Sequence, residues 1–164
     1  MSHFASIPWR GRTVRIEYAW TAQPQRSGAP LLVFLHEGLG SLSMWRDFPQ
    51  RLCDAVGARG LVYSRPGYGR STPRAAEEAW DVDFMHLQAL EVLPALLHSL
   101  DFDVEHERPI LFGHSDGGSI ALLAAADRTL PMRGIAVMAP HILVEDLSVN
   151  SIRKAREAYQ TTDL

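Results

Sequence analysis

A chain of 164 residues, 46% hydrophobic and 21% charged, has the balance of one globular domain with a single core, which excludes fibrous and disordered classes. Its formal charge of -3 and pI near 6.1 exclude the strongly basic surface that nucleic acid or an anionic membrane selects. A single cysteine, Cys53, excludes an intrachain disulfide, and no apolar run reaches the roughly 20 residues of a membrane span or forms a signal peptide, so the expected location is cytoplasmic.

In chain order, "TVRIEYAW" (13–20) alternates in period two and predicts an antiparallel strand, and "QPQRSGAP" after it a loop or turn. "LLVFLH" (31–36) is continuously apolar, as a strand covered on both faces is. "MWRDFPQRLCDAV" reads as helix, with Cys53 a small buried residue and no nucleophile; "GLVYS" (60–64) is the next buried strand. "RPGYGRSTPRAAEEAW" (65–80) predicts a surface loop in which Arg65, Arg70 and Arg74, like Arg59 before them, are solvated. "DFMHLQALEVLPALLHSL" (83–100) is an amphipathic helix that Pro94 should kink or break. After the acidic linker "DFDVEHER" come the strand "PILFG", the helix "SIALLAAADR" and the strand "GIAVMAP" (134–140), then a loop and a charged helix with Ser148 as N-cap. Alternating strands and helices predict an α/β fold with a mostly parallel, doubly wound sheet.

The chemistry is concentrated in "FGHSDGGSIAL" (112–122), which holds the G-x-S-x-G pattern Gly113, His114, Ser115, Asp116, Gly117. In that pattern a serine stands at the tip of a sharp strand-to-helix turn, and its neighbours two positions away must be small so that strand and helix can approach. An apolar strand before it and an alanine-rich helix after it supply the required context, so a working nucleophile at Ser115 is preferred over a plain glycine-rich turn. Such a serine needs a base, and donors for the developing oxyanion; the amide of Asp116, opening the helix, is one donor.

Together with "FLHEGLGSLSMW" and "SRPGYGRS" upstream, this stretch makes the chain resemble the α/β-hydrolase fold family. The resemblance implies that the loop after His36 carries the second oxyanion donor, at Gly38, or at Leu39 if the loop is shifted by one residue. Glu37 stands where glycine is common; pointing away, binding a water and tuning the substrate are open alternatives for it. Ser64 stands where the family's motif commonly begins with aspartate, which implies a more weakly held loop. His114 belongs to the elbow, His36 to the oxyanion-loop turn, His86 and His98 to the long helix, and His3 and His106 to the surface. No metal-ligand spacing and no cofactor motif is present.

The family's triad runs serine, acid, histidine along the chain, whereas His141, the only histidine after Ser115, precedes Glu145 and Asp146. His141 is therefore expected to line the pocket rather than to act as base. The resemblance implies that base and acid lie beyond Leu164, that residues 1–140 are the N-terminal part of a hydrolase core truncated after its sixth strand, and that 141–164 begin a helical cap. The expected partner is a small-molecule substrate, with self-association through an exposed edge, or association with a missing C-terminal half.

Two functions of different class follow. One is a serine hydrolase of a small ester, thioester or related acyl substrate, with a carbon–carbon bond hydrolase of ring-cleavage products as a variant; Leu39 and Trp45 would be apolar contacts, although Trp45 fits core packing better. The other is a non-catalytic binding or scaffold protein that keeps the elbow without its base, and it differs in leaving Ser115 unreactive.

Overall fold

The structure, a computed structural model, describes residues 2–21, 28–75 and 77–162. Its elements are β1 (His3–Trp9), β2 (Arg12–Trp20), β3 (Leu31–Leu35), α1 (Phe48–Val56), β4 (Arg59–Tyr63), α2 (Phe84–Leu87), α3 (Leu93–Ser99), α4 (Val104–Glu107), β5 (Ile110–His114), α5 (Asp116–Asp127), β6 (Gly134–Met138) and α6 (Asp146–Thr161). Most of the expected loop 23–30 lies outside the described residues.

The six strands form one sheet in the order β1-β2-β4-β3-β5-β6. The β1–β2 and β2–β4 pairs are antiparallel, and the β4–β3, β3–β5 and β5–β6 pairs are parallel. The crossovers therefore bring the carboxyl ends of β3, β4, β5 and β6 to one edge of the sheet, where open α/β sheets gather their functional loops.

The continuous apolar run of β3 has the cause expected of it. Leu31, Val33 and Leu35 join Ile7, Val14, Ile16, Leu61, Tyr63, Leu96 and Ile120 on one face, while Leu32 and Phe34 join Cys53, Ala58 and Val62 on the other. Trp45 packs in this second layer, stacked on Phe48 at 5.8 Å and edge-on to Phe34 at 5.5 Å, so it is core and not a substrate contact. Cys53 is buried there as well, and burial pushes its thiol above the ordinary range, the reverse of what activates a cysteine.

Four details depart from the sequence reading. Strand β1 was not anticipated: Ala5, Ile7 and Trp9 alternate inward, but Pro8 masks the pattern, which an edge strand tolerates. Arg10 (φ 48°) and Gly11 (φ 73°) close the β1–β2 hairpin with the left-handed backbone of a tight turn. The helix continues through Pro94, but its regular α-helical course is interrupted just before it by a π-helical turn, Gln88–Val92. Ser148 is not an N-cap: α6 starts earlier, with Glu145 at the cap position.

The stretch 65–80 is also not surface loop throughout, nor is Arg65 solvated. Ser64, Arg65 and Ser71 are buried, Arg65 completely, and Arg59 pairs with Glu107 while lying over the Phe102 ring.

Candidate active site

Ser115 sits at the tip of the turn from β5 into α5 with φ 53° and ψ -117°, a backbone conformation that a residue with a side chain holds only under constraint. Two contacts supply the constraint. A Cβ on Gly113 would overlap the backbone of Gly117, and one on Gly117 would overlap the carbonyl of Leu35, so strand and helix approach as closely as glycine permits. The Ser115 amide donates to the Met138 carbonyl at 2.9 Å, fastening the turn to β6. The side chain is thereby presented at the N-terminus of the 12-residue helix α5, where unpaired backbone N–H groups and the helix dipole favour negative charge.

The loop after β3 approaches the same point. Gly38 lies so close to Asp116 that an added Cβ would come within 2.9 Å of the Asp116 carboxylate. Glu37 folds back over its own loop: its carboxylate accepts the Leu39 amide at 2.6 Å, and its carbonyl accepts the Gly40 amide at 3.1 Å. Glu37 therefore braces its own loop, which is none of the three alternatives open from the sequence. The amide of Leu39 is thus already engaged, whereas that of Gly38 has no acceptor among the described residues.

His36 ties this loop to the one after β4. Its Nδ1 lies 2.7 Å from the Glu37 carbonyl, and its Nε2 accepts the Arg65 amide at 3.0 Å, so the proton resides on Nδ1. Burial, and then the neighbouring Arg65 guanidinium, lower its pKa from 6.5 to about 3. A histidine whose folded pKa lies below its unfolded one contributes stability that is complete above pH 6.5 and is lost as pH falls toward 3. From this group alone, stability should drop by about 2 kcal/mol by pH 5 and about 3 kcal/mol by pH 4. Urea titrations across that range check this, with His36→Gln expected to flatten the slope.

Arg65 is the buried cation behind the site. Its Nη2 donates to the Glu37 carbonyl at 2.9 Å and lies 3.7 Å from the Asp116 carboxylate, and its guanidinium covers the Tyr68 ring at 4.7 Å. It offsets the carboxylates that stand beside Ser115, a role its place in a turn-rich sequence concealed.

Ser64 is held differently from the aspartate it replaces in the resemblance. It accepts the Leu42 amide at 2.9 Å and donates to Glu17 Oε2 at 3.0 Å, and that carboxylate also accepts the Arg70 amide at 2.9 Å. The negative charge is supplied from β2, so the expectation of a weakly held loop does not stand. Ser71 completes the bond set, donating to the Ser64 carbonyl at 2.6 Å and accepting the Glu17 amide at 2.9 Å.

His141 follows β6 and places its Nε2 2.9 Å from Ser115 Oγ. Glu37, Gly38, Leu39, Ser115, Asp116 and His141 all line one cavity of about 640 Å³, whose far wall is α6, with Leu147, Ile152, Arg156 and Tyr159 facing it. His114, next to the serine in sequence, lies outside this lining. Among the described residues, no group of histidine, cysteine and carboxylate side chains could hold a metal ion, and no helix is long and apolar enough to cross a membrane.

An α/β sheet whose strand β5 runs through a strained serine into helix α5 defines a hydrolase-type fold. The chain belongs to the alpha/beta hydrolase family, whose model matches residues 32–162. Among solved structures, VinJ shares 26% identity at a TM-score of 0.69, with 99% of this chain covering 56% of that one. A study of carboxylesterases of the thaumarchaeon Nitrososphaera gargenis supplies a structure with 19% identity and a TM-score of 0.72, covering 96% of this chain and 53% of the other. A thermophilic esterase from Thermogutta terrifontis gives 19%, 0.68, 98% and 54%. The chain thus spans about half the length of the solved structures it matches. A search of curated proteins gives no match.

Proposed function

We propose that this protein is a serine hydrolase of small acyl substrates, esters or thioesters, with Ser115 as nucleophile. The observation that carries this reading is the strained backbone of Ser115, held by two glycine contacts at the head of α5. Such strain is maintained against its cost where a side chain must be presented to a ligand. Ser115 Oγ attacks the substrate carbonyl carbon, and the oxyanion that forms is received by the amides of Asp116 and Gly38. Each such donor stabilises the transition state by about 2.7–4 kcal/mol. The alcohol or thiol then leaves, and water releases the acid from the acyl-enzyme. Leu39, Leu147 and Ile152 give the cavity an apolar wall suited to an acyl chain, with α6 read as the beginning of a lid over it. Family membership and esterase structures among the neighbours support hydrolysis.

The test is treatment of the purified protein with a fluorophosphonate, with the adduct mapped by peptide mass spectrometry. One adduct at Ser115 is the expected result. A folded protein that takes no adduct would overturn this reading in favour of a binding protein that keeps only the turn.

A further inference from the structure

We infer that Arg65 is a positioning residue of the oxyanion site, aiming and polarising the Gly38 amide through the Glu37–Gly38 peptide bond. This rests on the reading of Ser115 as nucleophile with the Gly38 amide as an oxyanion donor. A trans peptide unit is planar, with its carbonyl and its N–H pointing to opposite sides. Whatever fixes the Glu37 carbonyl therefore fixes the Gly38 N–H. Arg65 Nη2 donates to that carbonyl at 2.9 Å, which turns the N–H away from the guanidinium, and Gly38 itself lines the cavity that holds Ser115.

The plane of this peptide needs fastening, because a glycine follows it and glycine turns freely about φ. A side chain cannot supply the restraint, since a Cβ at position 38 would come within 2.9 Å of the Asp116 carboxylate. Instead three donors converge on the one carbonyl: Arg65 Nη2 at 2.9 Å, His36 Nδ1 at 2.7 Å and the Gly40 amide at 3.1 Å. Donors at a carbonyl oxygen draw electron density through the amide and leave its N–H more positive, and bonds in such a chain strengthen one another. Of the three only the guanidinium is charged at neutral pH, since His36 has a pKa lowered to about 3. A charge-assisted bond is roughly twice as strong as a neutral one, so Arg65 contributes most.

Arg65 is itself held rigidly. Its amide donates to His36 Nε2 at 3.0 Å, its Nε to the same nitrogen at 3.4 Å, and its guanidinium covers the Tyr68 ring at 4.7 Å. The side chain is fully buried, yet Nη1 has no acceptor among the described residues. The Asp116 carboxylate stands 3.7 Å from Nη2, farther than a hydrogen bond. A buried cation left partly unbonded is a poor source of stability, and its shortest side-chain bond is the one to the Glu37 carbonyl. The geometry thus favours a route through the peptide over one through the Asp116 charge.

The test compares, on the full chain, the rate at which Ser115 is labelled by a fluorophosphonate and by its counterpart with P=S in place of P=O. The phosphoryl oxygen occupies the oxyanion site, and sulfur there is a weak acceptor, so a defect in the donors slows the P=O reagent selectively. Arg65→Met should label about 10²-fold more slowly with P=O, as when one oxyanion donor is lost, and less than about tenfold more slowly with P=S. Arg65→Lys, which keeps a charged donor, should recover part of the P=O loss. Arg65→Met is also made in Asp116→Asn, where no carboxylate is left unpaired should the single variant not fold, and circular dichroism checks the folding of each. Measured against Asp116→Asn, the P=O loss should be of the same size. Equal slowing with both reagents, or parent rates with both, would overturn the role of Arg65 and leave the nucleophile standing. A loss that vanishes in Asp116→Asn would overturn the peptide route and assign the effect to the Asp116 charge. A parent chain that takes no adduct at Ser115 from either reagent would overturn the nucleophile, and this inference with it.

Discussion

Ser115→Ala should lower kcat/KM for p-nitrophenyl butyrate by roughly 10⁴- to 10⁶-fold, the loss met when the nucleophile of a serine hydrolase is removed. The fall should appear in kcat, because the hydroxyl enters only the bond-forming step and KM reports mainly the apolar walls of the cavity. Stability should move the other way in a companion variant. Ser115→Gly frees a position held at φ 53°, where backbone strain of about 1–3 kcal/mol is released against a smaller entropic cost of glycine. A melting temperature that rises as activity disappears would separate a residue kept for chemistry from one kept for folding. Retention of a tenth or more of the parent activity in Ser115→Ala would reject the nucleophile.

The second large effect belongs to a residue with no side chain. In Gly117→Ala the new methyl group would occupy the space of the Leu35 carbonyl, which is main chain at the end of the central strand and has no rotamer through which to move away. Relief requires α5 to withdraw from β3, and that opens the packing of Ile120 and Ala121, both fully buried. Overpacking of this kind costs about 3 kcal/mol, or roughly 6–12 °C in Tm for a domain of this size. Thermal melts followed by circular dichroism check this. Gly134→Ala, where an added Cβ meets nothing within 4 Å, is the control that should melt close to the parent. Equal melting of the two variants would show that the elbow has slack.

The elbow could be read from the sequence because its signature is local, although the contacts of Gly117 with the Leu35 carbonyl and of the Ser115 amide with Met138 are not. An apolar strand, glycines flanking a serine and a small-residue helix lie within consecutive residues, and the contact between Gly113 and Gly117 is a property of that short stretch. Strand β3 was legible for a similar reason, since burial of both its faces leaves no polar residue to blur the run. What stayed hidden joins distant positions. The bond from Ser64 to Glu17 spans 47 residues and that from the Glu17 amide to Ser71 spans 54, and no periodicity marks a glutamate that will be buried by loops folding over it. Arg65 resembled any charged loop residue until His36, Glu37, Tyr68 and Asp116 closed around it.

The bonding of Ser64 to Glu17 bears on how the chain can change over generations. Exchanging Ser64 for an acidic residue while Glu17 remains would press two carboxylates into a space of about 3.0 Å between bonded oxygens, where both cannot stay ionised. Exchanging Glu17 first would leave the Arg70 amide and the Ser64 hydroxyl without their acceptor. Either single step should therefore lower stability. The two positions are thus expected to change together rather than one at a time.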